Sequence, residues 1–300
     1  MNYKNKKIPC SFTFLKKGNL LILIRKTYKD LLIKQGIENP DKLIREDKST
    51  EYFQGRHLTP SVLIRGTKNE RMVVRHYMRG GFVRLISRDV FLGRLRPLNE
   101  LIVSEEALGR GVPTSEILAV LQHKFFGWWY RADMVSKQIQ GGVDLITCFK
   151  NIEKKPYEKP GKKKLKEKRE LIYLVAGAIN KMHQANIYHA DLHPKNILIQ
   201  NQNSGQNKAY IIDFDKSSIK KKISYKQKTK NLYRFHRSIE KTEKKGLYFT
   251  RTDQYRFFKH YLNDDKNLKA AAINYLKGYG AHRKIHRLGR YIANLFFKKD

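Results

Sequence analysis

Two segments restrict what this chain can fold into more than anything else in it: His189-Ala-Asp-Leu-His-Pro-Lys-Asn196 and Ile211-Ile-Asp-Phe-Asp215. The first sets a carboxylate, Asp191, two residues after a histidine and an amide, Asn196, five residues further on. The second adds a carboxylate, Asp213, at the end of an apolar run. A positioned carboxylate can take a proton from a reacting hydroxyl, and an amide with a carboxylate can share one hard cation. Ile197–Ile199 and Ala209–Ile212 read as two short buried strands around the polar turn Asn201–Asn207. Paired as a hairpin, they bring Asn196 and Asp213 side by side at its open end.

An HxDxxxxN loop followed by Asp-Phe-Asp matches the catalytic loop and a variant metal motif of the protein-kinase fold. On that reading Asp191 is the base, and Asn196 and Asp213 hold magnesium on the phosphates of ATP. Asp215 either assists with metal or caps a turn. His193 stands where such loops usually carry a phosphate-contacting lysine, and Lys195 can supply that charge from two residues away. Upstream, Glu51–Arg56, Ser61–Arg65 and Arg71–Tyr77 read as strands, and Pro97–Leu108 as a helix. Strands flanking Pro113 then complete a β-rich lobe. Arg75 takes the place of the usual third-strand lysine, with Glu100 as its best helix partner and Glu105 as the fallback. Gly55 alone represents the glycine-rich loop.

The expected fold class is α+β, a bilobal protein-kinase-like fold with a β-rich N-lobe and a helical C-lobe. Residues 1–50 read as an N-terminal extension, with a strand near Leu20–Arg25 and a short helix at Tyr28–Lys34. Residues 51–133 read as the N-lobe, 134–142 as the hinge and 143–300 as the C-lobe with a basic amphipathic tail. Lys154–Lys168 is either a loop or an exposed helix start, ahead of the buried helix Leu171–His183.

The 300 residues carry a formal net charge of +36 with 40% hydrophobic content, so the chain is globular and drawn to polyanions. Its two cysteines, Cys10 and Cys148, form neither a disulfide framework nor a metal spacing. No apolar run is long enough to span a bilayer and no export signal is legible, which favours the cytoplasm. Zinc-finger spacing and RNA-binding aromatic motifs are missing, so no specific nucleic acid is expected. Nothing in the sequence designates a protein partner.

Val74-Arg-His-Tyr-Met-Arg-Gly-Gly81, the helix around Asn99-Glu100, Gly111-Val-Pro113, Asp213-Phe-Asp-Lys216 and Asn231–Ser238 together resemble the lipopolysaccharide kinases. The resemblance covers roughly residues 55–238. It implies ATP-dependent phosphorylation of the 3-deoxy-D-manno-octulosonic acid (Kdo) sugar on a lipid A precursor, with the 4-hydroxyl as the expected position. The implied place is the cytoplasmic face of the inner membrane of a Gram-negative bacterium, where the protein would be peripheral. It further implies that arginine at position 75 is normal and that the base is Asp191.

The basic charge suits both an acidic head group and an anionic leaflet. Arg79, Arg84, Arg88, Arg94 and Arg96 either line a head-group site or form a solvated face. The tail repeats Ile285, Leu288, Ile292, Leu295 and Phe296 at helical spacing among basic residues, and either lies in the lipid interface or packs on the C-lobe. Two other functions remain open: a kinase for another core sugar such as heptose, and a pseudokinase that binds membrane or glycolipid without turnover.

Overall fold

A computed structural model describes residues 8–53, 58–78, 89–92, 96–127, 129–154, 160–201, 207–243 and 249–262. Strands β1 (Phe12–Lys17) and β2 (Leu20–Arg25) form an antiparallel hairpin. A 3-10 turn, Lys26–Tyr28, leads to α1 (Lys29–Lys34) and α2 (Pro40–Glu46), the latter capped by the Asn39 side chain. Strands β3 (Glu51–Phe53), β4 (Thr59–Leu63), β5 (Arg71–His76) and β6 (Phe91–Leu92) precede helix α3 (Arg96–Gly109). Two long strands follow, β7 (Ile117–Phe126) and β8 (Trp129–Lys137). All eight strands make one sheet in the order β1-β2-β7-β8-β5-β4-β3, with β6 on the end of β8.

The expected extension over residues 1–50 therefore needs correction, because β2 pairs with β7 from Leu20↔His123 to Ile24↔Ala119 and is an interior strand. Its near-continuous apolar run is buried on both faces: Ile22 and Ile24 join one core and Leu23 the other. The flanking lysines disguised this in the sequence. Residues 110–116 are loop, so a strand follows Pro113 but none precedes it.

Side chains on a strand alternate between faces, and this alternation sorts β5. Met72 and Val74 point to the layer built by Leu32, Ile37 and Leu43 of α1, α2 and the turn between them. Arg75 and Tyr77 point to the opposite face, which Leu98 and Leu101 of α3 cover. Further along, α3 gives Val103 and Ala107 to the core of the second lobe. One helix thus joins the core on this face of the sheet to the core of the second lobe.

Strand β8 continues through Met134–Lys137, still paired with β5 and β7. The expected hinge over 134–142 is thereby shortened to residues 138–141. Next comes β9 (Gly142–Asp144), which already pairs with a C-lobe strand, β11 (Ile197–Asn201). A Cβ at Gly142 would lie 2.9 Å from the Ile139 carbonyl oxygen, so glycine is required at this corner. Asp144 caps α4 (Leu145–Lys154) by accepting from the amides of Ile146 and Thr147. Helix α5 (Pro160–Gln184) runs through the lower core, so the polar stretch that ends at Lys168 is in good part an exposed helix start.

Short β10 (Ile187–Tyr188) pairs with β13 (Ser218–Ile219), and β11 pairs with β12 (Asn207–Ile211) as the expected hairpin. Helices α6 (Tyr225–Glu243) and α7 (Arg251–Leu262) close the lobe. The tail beyond residue 262 lies outside the described residues. The fold is the expected bilobal, α+β, protein-kinase-like one.

Three side chains lock α5, α6 and α7 together. His183 is 1% exposed, with Nδ1 2.6 Å from the Tyr261 hydroxyl and Nε2 3.0 Å from Asn231 Oδ1. Burial pushes its pKa down from 6.5 to about 4, so the ring is neutral near pH 7. The unfolded chain binds this proton below about pH 6.5, the folded one only below about 4. Stability is therefore complete above the upper value and falls as the pH drops through the window, by up to about 3 kcal/mol. Thermal melts from pH 7 to pH 4 should show that loss, and His183→Gln should reduce its slope, leaving the share of the second buried histidine, His189; an equal slope in the variant would reject the assignment.

Candidate active site

The catalytic loop between β10 and β11 is held from below by uncharged groups. His189 is fully buried, which holds its pKa below the usual range, although its Nε2 bonds the Ile212 carbonyl at 3.1 Å. Nδ1 accepts from the Asp191 amide at 3.1 Å, so the neutral tautomer with its proton on Nε2 satisfies both ring nitrogens. This histidine ties the loop to the β12 end of the hairpin. Phe214, also fully buried, packs its ring on His189 at 5.1 Å. From α6, Asn231 donates to the His189 carbonyl at 2.6 Å and accepts from the His189 amide at 3.2 Å. A buried asparagine thus fixes the loop on a helix 42 residues away in sequence.

Above this scaffold, Asp191 is exposed and Asn196 is buried, 7% exposed. The Asn196 amide nitrogen donates to the Asp191 carbonyl at 3.1 Å. Its Oδ1 is left as a buried acceptor with no hydrogen bond among the described residues. Register then sets the second carboxylate: Ile197 pairs with Ile211, and the Ile212 amide bonds the Asn196 carbonyl at 3.0 Å. Asp213 follows at once, with φ of 65°, in the left-handed region that turns the chain out of β12.

Arg75 spans the gap between the lobes. It bonds Glu100 at 2.5 Å, Asp213 at 3.1 Å and the Tyr77 hydroxyl at 3.2 Å. Tyr77 also donates to Glu100. Burial raises the pKa of Glu100 despite the attraction of Arg75. Asp213 is half open to the cleft; burial opposes its charge, but Arg75 outweighs it and holds the carboxyl below its usual range. Burial likewise opposes the charge on Arg75, and Glu100, Tyr77 and Asp213 together override it. The Arg75 side chain keeps 35% exposure, so part of the guanidinium faces the cleft.

Arg75, Glu100 and Asp213 are thus in direct contact, and Asp191 and Asn196 share a hydrogen bond beside them. His193 Nε2 lies 3.9 Å from Asp191 Oδ2, and Lys195 is exposed without an ion pair to any described residue. Gly55 lies outside the described residues, as do Arg79, Arg84, Arg88 and Arg94. Glu105, the fallback partner, belongs elsewhere, bonded to Arg25 and to the Ser11 hydroxyl. Asp215 is held by Arg96, whose Nε donates to Oδ1 at 2.9 Å, so its carboxylate is spent on α3. Sequence reading missed Asn231 and Arg234 in particular. Arg234 donates to Asp191 Oδ1 at 2.6 Å. The two stand three apart on one helix, and that spacing puts them on one face.

For a magnesium ion the donors fit. A buried amide oxygen without a partner and an ionised carboxylate are hard ligands, and magnesium completes its shell with phosphate oxygens and water. No cluster of three or more His, Cys, Asp or Glu side chains suited to a metal occurs among the described residues.

Comparison with known proteins fits this geometry. The family model described as "Lipopolysaccharide kinase (Kdo/WaaP) family" matches residues 48–261. A 3-deoxy-D-manno-octulosonic acid kinase of Vibrio cholerae serotype O1 is 31% identical, over 67% of this chain and 83% of its own length. One of Actinobacillus succinogenes is 27% identical, over 75% of this chain and 89% of its own. Among solved structures, WaaP in complex with acyl carrier protein aligns with TM-score 0.52 and 16% identity, covering 85% of this chain and 98% of that one. That likeness is one of fold.

Asn231→Ala removes the partners of the His189 carbonyl and amide and of His183 Nε2 at once. Each buried group left unpaired costs about 1–3 kcal/mol, so three of them put the expected loss at about 3 kcal/mol or more. Urea unfolding checks it, and a loss under about 1 kcal/mol would show that the loop is held by other means.

Proposed function

Because this chain belongs to the lipopolysaccharide kinase (Kdo/WaaP) family, we propose that it transfers the γ-phosphoryl group of ATP to a hydroxyl of Kdo on a lipid A precursor. The observation that carries the reading is the closed contact of Arg75 with both Glu100 and Asp213, beside Asp191 and Asn196. In kinase-fold phosphotransferases the third-strand cation must meet its helix carboxylate before phosphates are gripped. Here the cation is arginine, whose planar fork suits two phosphate oxygens at once. The acceptor is the Kdo sugar, and its 4-hydroxyl is the position we propose.

Each residue then has a task. Arg75, held by Glu100, presents its exposed edge to the phosphates, while Lys195 adds positive charge and His193 an imidazole near the transferred group. Asn196 and Asp213 would hold magnesium, which supplies charge neutralisation on the phosphate oxygens when bound. Asp191 accepts the proton of the attacking hydroxyl as the new oxygen–phosphorus bond forms and the bond to the ADP oxygen breaks. The exposed face of Asp191 leaves room for a sugar.

With that acceptor, we propose a peripheral position at the cytoplasmic face of the inner membrane of a Gram-negative bacterium. The net charge of +36 supports attraction to that anionic leaflet. No helix among the described residues is long and apolar enough to cross a membrane.

Purified protein incubated with radiolabelled ATP, magnesium and a Kdo-lipid A precursor should label the glycolipid. Asp191→Ala should lower the rate about 10²–10⁴-fold, the usual contribution of a positioned base. Label entering heptose-extended core, but not this precursor, would replace the acceptor. Silence on both, with ATP still bound, would make the chain a pseudokinase. Arg75→Lys should keep the fold and raise the KM for ATP, since an ammonium cannot serve Glu100 and phosphate with one planar fork; an unchanged KM would remove Arg75 from phosphate binding.

A further inference from the structure

Arg234 sits on the exposed side of α6, yet its Nη1 reaches Asp191 Oδ1 at 2.6 Å, and both side chains are about half open to solvent, at 43% and 53%. An exposed ion pair contributes little to stability. This one also occupies an oxygen that a general base needs for its incoming hydroxyl. Its placement is not incidental, because Asn231, one turn earlier, clamps α6 to His189 and so fixes where Arg234 emerges. The guanidinium has further donors, and the side chain is exposed enough for them to meet a ligand.

Nor does Arg234 stand alone. Lys226, Lys230, Arg234, Arg237 and Lys241 fall within an arc of about 80° on α6, given 3.6 residues per turn. All but the partly buried Arg237 are exposed. At a rise of about 1.5 Å per residue the stripe extends about 22 Å. Glu240 lies at its margin. A row of cations whose middle member rests on the base of a kinase fits an acceptor with acidic groups near its reacting hydroxyl and to either side of it.

We propose that Arg234 is the anchor for the acceptor sugar's own carboxylate, and that the basic stripe of α6 follows the remaining acidic groups of the glycolipid. This rests on the acceptor reading given above. In the free enzyme the guanidinium rests on Asp191. When the acceptor arrives, the fork turns to the sugar carboxylate, a like-charged replacement of the same geometry. Asp191 Oδ1 is released at that moment to take the hydroxyl proton. A neutral sugar offers no such exchange and leaves the guanidinium on Asp191 Oδ1, so Arg234 sets specificity as well as position.

The test is steady-state kinetics of wild type and Arg234→Gln on two acceptors: the Kdo-lipid A precursor and the same precursor with the Kdo carboxylate reduced to an alcohol. Arg234→Gln should raise the acceptor KM at least about tenfold, the loss of one charge-assisted bond, and leave the KM for ATP within about twofold. Wild type should lose a similar factor on the reduced acceptor, and the two losses should not add, because they delete one contact. Additive losses, or a fall in kcat with the acceptor KM unchanged, would assign Arg234 to orienting Asp191 and overturn the proposal. Wild type that transfers nothing to the unmodified precursor would overturn the acceptor reading, and this assignment with it. Circular dichroism of Arg234→Gln, together with its retained ATP KM, separates either outcome from misfolding.

Discussion

Arg75 joins three pieces that the chain keeps far apart: β5, which carries it; α3, through Glu100; and the loop after β12, through Asp213. One of these carboxylates belongs to the sheet-bearing lobe and the other to the helical lobe, so the guanidinium measures the distance between lobes. Removing charge from water is unfavourable unless it is paired, and Glu100 is too deeply buried to stay ionised without Arg75. The three-way contact therefore requires the sheet register, the seat of α3 and the turn at Asp213 to be correct together. α3 reinforces this by lying in a core of each lobe.

Below that charged junction the scaffold is neutral by design of burial. His183 and His189 are both held uncharged, and Asn231 satisfies groups of each. A charged imidazole at either place would repel the other and compete with the carboxylates above. Neutral hydrogen bonds position the catalytic loop firmly and leave the local field to Asp191, Asp213 and Arg75. Asp215, at first sight a third metal-facing carboxylate, is instead turned into a strut to α3 by Arg96.

The excess of basic residues divides by location. Arg25, Arg75 and Arg96 are committed to internal carboxylates. The cations of α6 form an outward stripe that passes Asp191 at Arg234 and is open to an acidic acceptor. Net charge alone could not separate these groups, because it counts a spent arginine and a free lysine alike.

The sequence by itself determined the chemistry-bearing hairpin, since the apolar strands around Asn201–Asn207 have one sensible pairing and it places Asn196 beside Asp213. It also determined Arg75 and the α3 carboxylate, because period-two and helical spacing fix which faces they share. It did not reveal that β2 is interior: an apolar strand bracketed by lysines looks the same whether it extends a sheet or stands apart, and its partner β7 is about a hundred residues away. It ranked Glu100 ahead of Glu105 as the partner of Arg75, and the depth of packing on one helix is what brings the first to Arg75 and the second to Arg25. The contact of Arg234 with Asp191 likewise exists only because α6 folds back across the catalytic loop. Local patterns follow from the geometry of one strand or helix, whereas pairings between distant charges are decided by how whole elements pack, and only the tertiary structure holds that information.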